Sequence, residues 1–118
     1  MFINLTNHPS SQWDERQTKA ARQFGKIEDM AFPQVNPEDS RENIEAIAEE
    51  TAKSIVEKSH DCDVTVHIMG EMTFVYNLVS RLKSMGIRCV ASTTERIVTE
   101  NADGSKTSEF SFVGFREY

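Results

Sequence analysis

Short apolar runs alternate with helix-period segments along nearly all of this chain, and that alternation restricts its fold more than any other feature. The clearest unit is Val64-Thr65-Val66-His67-Ile68, a strand-like run broken by Met69-Gly70-Glu71-Met72-Thr73, after which a helical pattern continues to Met85-Gly86. Phe2-Ile3-Asn4-Leu5 reads as a first strand, and Lys26 to Phe32 as a weaker second one ended by Pro33. Ile87-Arg88-Cys89-Val90-Ala91 reads as a fourth. Arg96-Ile97-Val98-Thr99 and Glu109-Phe110-Ser111-Phe112-Val113 alternate around Asn101-Ala102-Asp103-Gly104, which predicts an antiparallel hairpin.

The intervening segments carry helix signals. Ser10 or Ser11 is placed to cap a first helix, with Asp14 in a capping-box position and Trp13, Gln17, Ala20, Ala21 and Phe24 at helical spacing. Asn36-Pro37 is placed to open a second helix, whose apolar stripe is Ile44, Ile47, Ala48, Thr51, Ala52, Ile55 and Val56. The third carries Met72, Val75, Leu78, Val79, Leu82 and Met85 on one face, with Phe74 and Tyr76 off it as a candidate subunit contact. The resulting order, β-α-β-α-β-α-β-β, predicts a mostly parallel sheet with helices on both faces and an antiparallel C-terminal hairpin at one edge. The expectation is a single Rossmann-like α/β domain over residues 1–118.

Composition narrows the partners. A formal charge of −6 argues against a binder of long nucleic acid, which needs a basic face to release counterions. It leaves room for a small phosphorylated ligand held by helix N-termini and backbone N–H groups. No apolar run approaches a membrane span and no leader pattern opens the chain, so no membrane association and a cytoplasmic location are expected. Cys62 and Cys89 form no C-x-x-C pair, and His60-Asp61-Cys62-Asp63 reads as a polar connector without a second cluster to complete a metal site. No metal or other cofactor is expected.

If the strands are parallel, three polar turns gather at the carboxyl edge of the sheet, where open α/β folds bind ligands. They are Thr6 to Ser11, Met69 to Thr73, and Ser92-Thr93-Thr94-Glu95-Arg96. Neither G-x-G-x-x-G nor G-x-x-x-x-G-K-[ST] is present, which argues against a dinucleotide or P-loop site. Asn7, His8, Ser10 and Ser11 can present donors to a phosphate or ribose, and an imidazole can move a proton near neutral pH. Serine at this point also serves as a helix cap. Gly70 lets a ligand approach the backbone, and Thr73 offers a hydroxyl. Glu71 fits a cap better than a phosphate contact. Ser92, Thr93 and Thr94 form a run of hydroxyls, and Arg96 is the candidate phosphate clamp because its planar fork matches two oxygens. His67 alternates onto a helix-covered sheet face and reads as a buried, hydrogen-bonded histidine.

Phe2 to Ser10, Met69 to Thr73 and Ala91 to Arg96 together resemble the small stand-alone proteins of type III CRISPR loci, which are similar to the CRISPR-associated Rossmann-fold (CARF) domain. The resemblance covers nearly the whole chain through short motifs of common residues. It implies a homodimer that binds a cyclic oligoadenylate messenger across its two-fold axis. In several members of that group the ring is cleaved without metal, as in a ring nuclease. It further implies that Arg96 serves as the oxyanion partner and His8 as the proton carrier. The shortage of lysine at this edge departs from the pattern of many phosphate readers. Two other functions fit the same residues: a non-catalytic nucleotide-sensing or sequestering module, and an interaction subunit using the Met72-Phe74-Tyr76 surface.

Overall fold

A computed structural model describes residues 1–60 and 62–118; Asp61, part of the polar connector, lies outside the described residues. Five strands form one sheet in the order β2-β1-β3-β4-β5: β1 (Phe2–Leu5), β2 (Ile27–Asp29), β3 (Thr65–Ile68), β4 (Arg88–Glu100) and β5 (Lys106–Glu117). The first four are parallel and β5 runs antiparallel to β4. Three helices connect them: α1 (Glu15–Arg22), α2 (Arg41–Lys58) and α3 (Met72–Ser84). Strand order reverses between β1 and β3, because the chain goes to one side of β1 for β2 and to the other for β3. No helix among the described residues is long and apolar enough to cross a membrane.

Strand alternation sends the two sides of β1 and β3 into different cores. Ile3, Leu5, Val66, Ile68 and Cys89 face α2 and α3, meeting Ile44, Ala48, Ala52, Ile55, Phe74, Leu78 and Leu82. Phe2 and Val90 face the other way, toward Ala21 of α1 and the partly buried Trp13, Phe24 and Phe115. Helices therefore cover both faces, as the alternation predicts. Cys89 behaves as a small buried hydrophobe, and burial pushes its thiol pKa up to about 11.

Several boundaries differ from expectation, each for a local reason. Asp14 is itself the cap of α1, accepting from Gln17 N at 2.8 Å, while Ser10 and Ser11 form a short 3-10 turn, Ser10–Gln12, before it. Asn36-Pro37 does not open α2. Asn36 instead closes a turn, accepting from Asp39 N on its carbonyl and from Glu38 N on its side chain, and Ser40 caps the helix. On α3 the buried face is Phe74, Leu78 and Leu82, with Val79 alongside; Phe74 is fully enclosed, whereas Met72 and Met85 are exposed. The i, i+4 line through Phe74 meets Phe32, with ring centroids 5.2 Å apart, and that contact takes Phe74 out of the surface patch expected with Tyr76.

The largest difference is in β4. The expected turn from Ser92 to Arg96 is absent, and the strand continues unbroken from Arg88 to Glu100. Only Thr65 to His67 of β3 pairs with β4, through Arg88 to Val90. Beyond that, β4 and β5 form a two-stranded ribbon joined by a loop around Asn101 and Gly104. β-branched and hydroxyl residues from Ser92 to Thr99 suit a pleated surface, so nothing local stops the strand.

Candidate functional site

The carboxyl ends of β1 and β3, on either side of the strand-order reversal, open into a cleft of about 620 Å³ on the α1 side of the sheet. This is the position where open α/β sheets take ligands. The loop after β1 contributes Thr6, Asn7 and His8, and the segment leading into α1 adds Gln12, Trp13 and Asp14. His67, Met69 and Gly70 come from the end of β3, and Ser92, Thr94, Phe110 and Phe112 from the base of the ribbon. No lysine or arginine is among these lining residues.

A β-bulge shapes the ribbon wall. Ser92 pairs with Phe115 and Thr94 with Phe112, so one side of the ladder advances two residues while the other advances three. Val113 is the extra residue. Without it, Phe112 and Phe115 would point to opposite faces. With it they share one, and their centroids lie 5.0 Å apart. Phe115 then meets Phe2 at 5.1 Å, Trp13 at 6.4 Å and His67 at 5.1 Å. Such aromatic contacts each add about 0.5–1.5 kcal/mol beyond the area they bury.

A polar network runs beneath this aromatic wall. Asn4, 1% exposed, donates from Nδ2 to His8 O at 2.8 Å and to Asp29 Oδ1 at 2.8 Å. Its Oδ1 faces His67 Nδ1 at 3.0 Å and accepts from Thr6 Oγ1 at 3.0 Å. Asp29 also accepts from Ser10, from the backbone at 3.0 Å and from the hydroxyl at 2.7 Å. Burial raises the Asp29 pKa, but the hydrogen bonds from Asn4 and Ser10 outweigh it and hold the carboxyl below its ordinary value. His67, 2% exposed among Phe2, Trp13 and Phe115, has its pKa lowered to about 4 by burial. It is the buried, hydrogen-bonded histidine that strand alternation predicts, and it is also part of the cleft. Its Nε2 has no hydrogen-bond partner among the described residues, and neither has the Trp13 indole nitrogen.

Of the residues singled out in the sequence, Asn7, His8, Gly70, Ser92 and Thr94 line the cleft. The rest have other work. Ser10 is held by Asp29, and Ser10 and Ser11 border a separate hollow beside Gly25 and Lys26. Glu71 caps α3, accepting from Thr73 N at 3.1 Å and Phe74 N at 2.8 Å, while the Thr73 hydroxyl bonds back to it. Those bonds, the Thr73 hydroxyl first, lower the Glu71 pKa. Thr93 faces the other side of the ribbon and bonds Gly114 O at 3.1 Å. Arg96 lies on the cleft side of β4 but one pleat further out than Thr94. Its guanidinium bonds Ser108 Oγ at 3.0 Å, and it is not among the lining residues. An unbroken β4 carries it away along the ribbon, where a turn would have returned it to the sheet edge. Gly70 has a packing role as well: a Cβ there would lie 2.3 Å from Phe32 Cζ.

Sequence reasoning missed Trp13, Gln12 and Gln17 as lining residues, and Asn4 and Asp29 as the polar network that holds His67, His8 and Ser10. The one signal available was a polar Asn4 in the middle of an otherwise apolar first strand. Among the described residues no group of three or more His, Cys, Asp or Glu side chains is placed to hold a metal ion.

The sheet and its opening define an α/β protein with a ligand-sized cleft at the carboxyl edge. More particularly, the chain belongs to the uncharacterized protein MJ1673 family, whose model matches residues 1–116. Neither a curated protein nor a solved structure matched the chain.

Proposed function

We propose that this protein is a Rossmann-like, CARF-like module that binds a nucleotide of the cyclic oligoadenylate class at the carboxyl-edge cleft, working as a homodimer. The observation that carries this is the cleft itself: it sits at the strand-order reversal, is walled by Trp13, Phe110 and Phe112, and has at His67 a neutral imidazole whose Nε2 lacks a hydrogen-bond partner among the described residues. Aromatic walls favour stacking with a base, and a largely uncharged lining favours a base over a bare phosphate. Asn7, His8, Ser92 and Thr94 supply polar contacts for the sugar and backbone of such a ligand.

Ring cleavage is the second reading, favoured by the exposed His8 at the cleft. It requires an in-line phosphate and a stabilising cation near the ligand's 2′-hydroxyl. Arg96 is the cation the sequence resemblance assigns to that role, and its engagement with Ser108 on the ribbon makes binding the better supported half. Calorimetric titration with cyclic oligoadenylates of different ring size, followed by analysis of the products, tests both. Saturable binding with intact ring gives a sensing or sequestering module, and linear product gives a ring nuclease. No heat with any ring size overturns the proposal and leaves the exposed Met72 and Tyr76 surface as the working part.

A further inference from the structure

Asn4 can adopt only one amide orientation. Both groups beside its Nδ2 are obligate acceptors, the His8 carbonyl and the Asp29 carboxylate, each at 2.8 Å. Its oxygen therefore faces His67, and an oxygen at 3.0 Å from Nδ1 requires that nitrogen to carry the proton. A neutral imidazole protonated at Nδ1 has a bare lone pair at Nε2. That atom is buried, is without a partner among the described residues, and belongs to a side chain that forms part of the cleft. The Trp13 ring, whose indole N–H is likewise buried and without a partner among the described residues, lies edge-to-face against the His67 ring with centroids 5.8 Å apart. Buried polar atoms of this kind are rare in folded proteins and call for a reason.

We propose that Asn4 and Asp29 are positioning residues that lock His67 as a hydrogen-bond acceptor, and that His67 Nε2 and Trp13 Nε1–H together select a ligand edge bearing an N–H donor beside an acceptor, as in an amino-substituted N-heterocycle. This rests on the nucleotide function above for its choice of ligand. An exocyclic amine gives its hydrogen to Nε2 while an adjacent ring nitrogen accepts from the indole. A ring that lacks the amine leaves the buried Nε2 lone pair with no donor, and the locked tautomer gives the site no second way to fill it. Discrimination of this sort comes from leaving a buried polar group unpaired in the wrong complex. Asp29 is central because its carboxylate draws the Asn4 amide nitrogen toward itself; Ser10 in turn holds the carboxylate from two sides.

The test uses two phosphate-free probes, adenosine and purine riboside, which differ only by the amine, with cyclic oligoadenylate titrated separately. Nitrogen-15 spectra of the histidine rings should show His67 protonated at Nδ1, and Asp29→Ala should shift those resonances toward a mixture of tautomers while the circular dichroism spectrum is unchanged. The wild-type protein should bind adenosine at least about tenfold more tightly than purine riboside. In His67→Phe, which keeps the aromatic packing and leaves Asn4 Oδ1 with its Thr6 donor, the ratio should fall to within about twofold. A His67 protonated at Nε2, equal binding of the two nucleosides, no binding of either, or a preference that survives His67→Phe overturns the inference. If cyclic oligoadenylate binds while the nucleosides are not distinguished, the proposed function stands and the selection device falls. Adenosine preference without cyclic oligoadenylate binding gives the reverse.

Discussion

Acidification should weaken this fold in a window set by His67. Its folded pKa is lowered by burial to about 4, against an unperturbed value of 6.5. Between those values the unfolded chain takes up a proton that the folded chain refuses. Stability is therefore fully present above the unfolded pKa and declines as pH falls toward the folded one. Integrating the linkage relation between pH 7 and pH 5 gives a loss of about 2 kcal/mol from this single group. Asp29 has its folded pKa lowered as well, but a carboxylate loses its contribution only below the ordinary carboxylate range, so the two windows separate. Urea unfolding followed by far-ultraviolet circular dichroism reads the effect directly. The midpoint should drop by on the order of 1 M across that interval. His67→Phe removes the titrating group, and its midpoint should be nearly flat over the same range, whatever its absolute stability. Parallel pH profiles for the two proteins would refute the assignment of a neutral, desolvated imidazole.

Gly70→Ala should destabilise the fold by about 1–3 kcal/mol, because the new methyl overlaps the Phe32 ring that braces Phe74; thermal unfolding measures it, and an unchanged midpoint would show that Phe32 moves freely. Arg96→Ala should change messenger binding by less than about threefold, since a solvent-exposed guanidinium outside the cleft contributes little, whereas a loss beyond tenfold in calorimetry would put the ligand on the ribbon. His8→Ala should leave binding near the parent value and, if the ring is cleaved, slow cleavage by about 10²-fold in single-turnover assays. Light scattering at micromolar concentration should give twice the chain mass, with Met72 and Tyr76, both largely exposed, among the residues that bury; a monomer mass with and without ligand would remove the homodimer from the proposed function.

The element order was legible because it rests on local periodicity. Ile44, Ala48, Ala52 and Ile55 repeat at helical spacing and are all buried, and Val64 to Ile68 could hardly be anything but a central strand. Strands alternating with helices then leave few ways to build a sheet, so its parallel part and its C-terminal hairpin followed. The carboxyl-edge location of a cleft followed as well, since it depends on topology and not on particular contacts.

What the sequence could not supply is whatever depends on partners distant along the chain. Ser92 to Arg96 carries polar residues that suit a turn and a strand equally, and pairing with Lys106 to Glu117 decided for the strand. That choice carried Arg96 out along the ribbon and left Ser92 and Thr94 at the cleft. The bulge at Val113 is marked in the sequence only by the adjacent Gly114, and it brings Phe112 and Phe115 to one face, with Phe115 against His67. Asn4, Asp29 and His67 are separated by up to 63 positions, and only the adjacency of β2, β1 and β3 makes them one network. Local patterns set which residues become strand or helix; the chemistry of the cleft comes from side chains that meet only after the sheet has assembled.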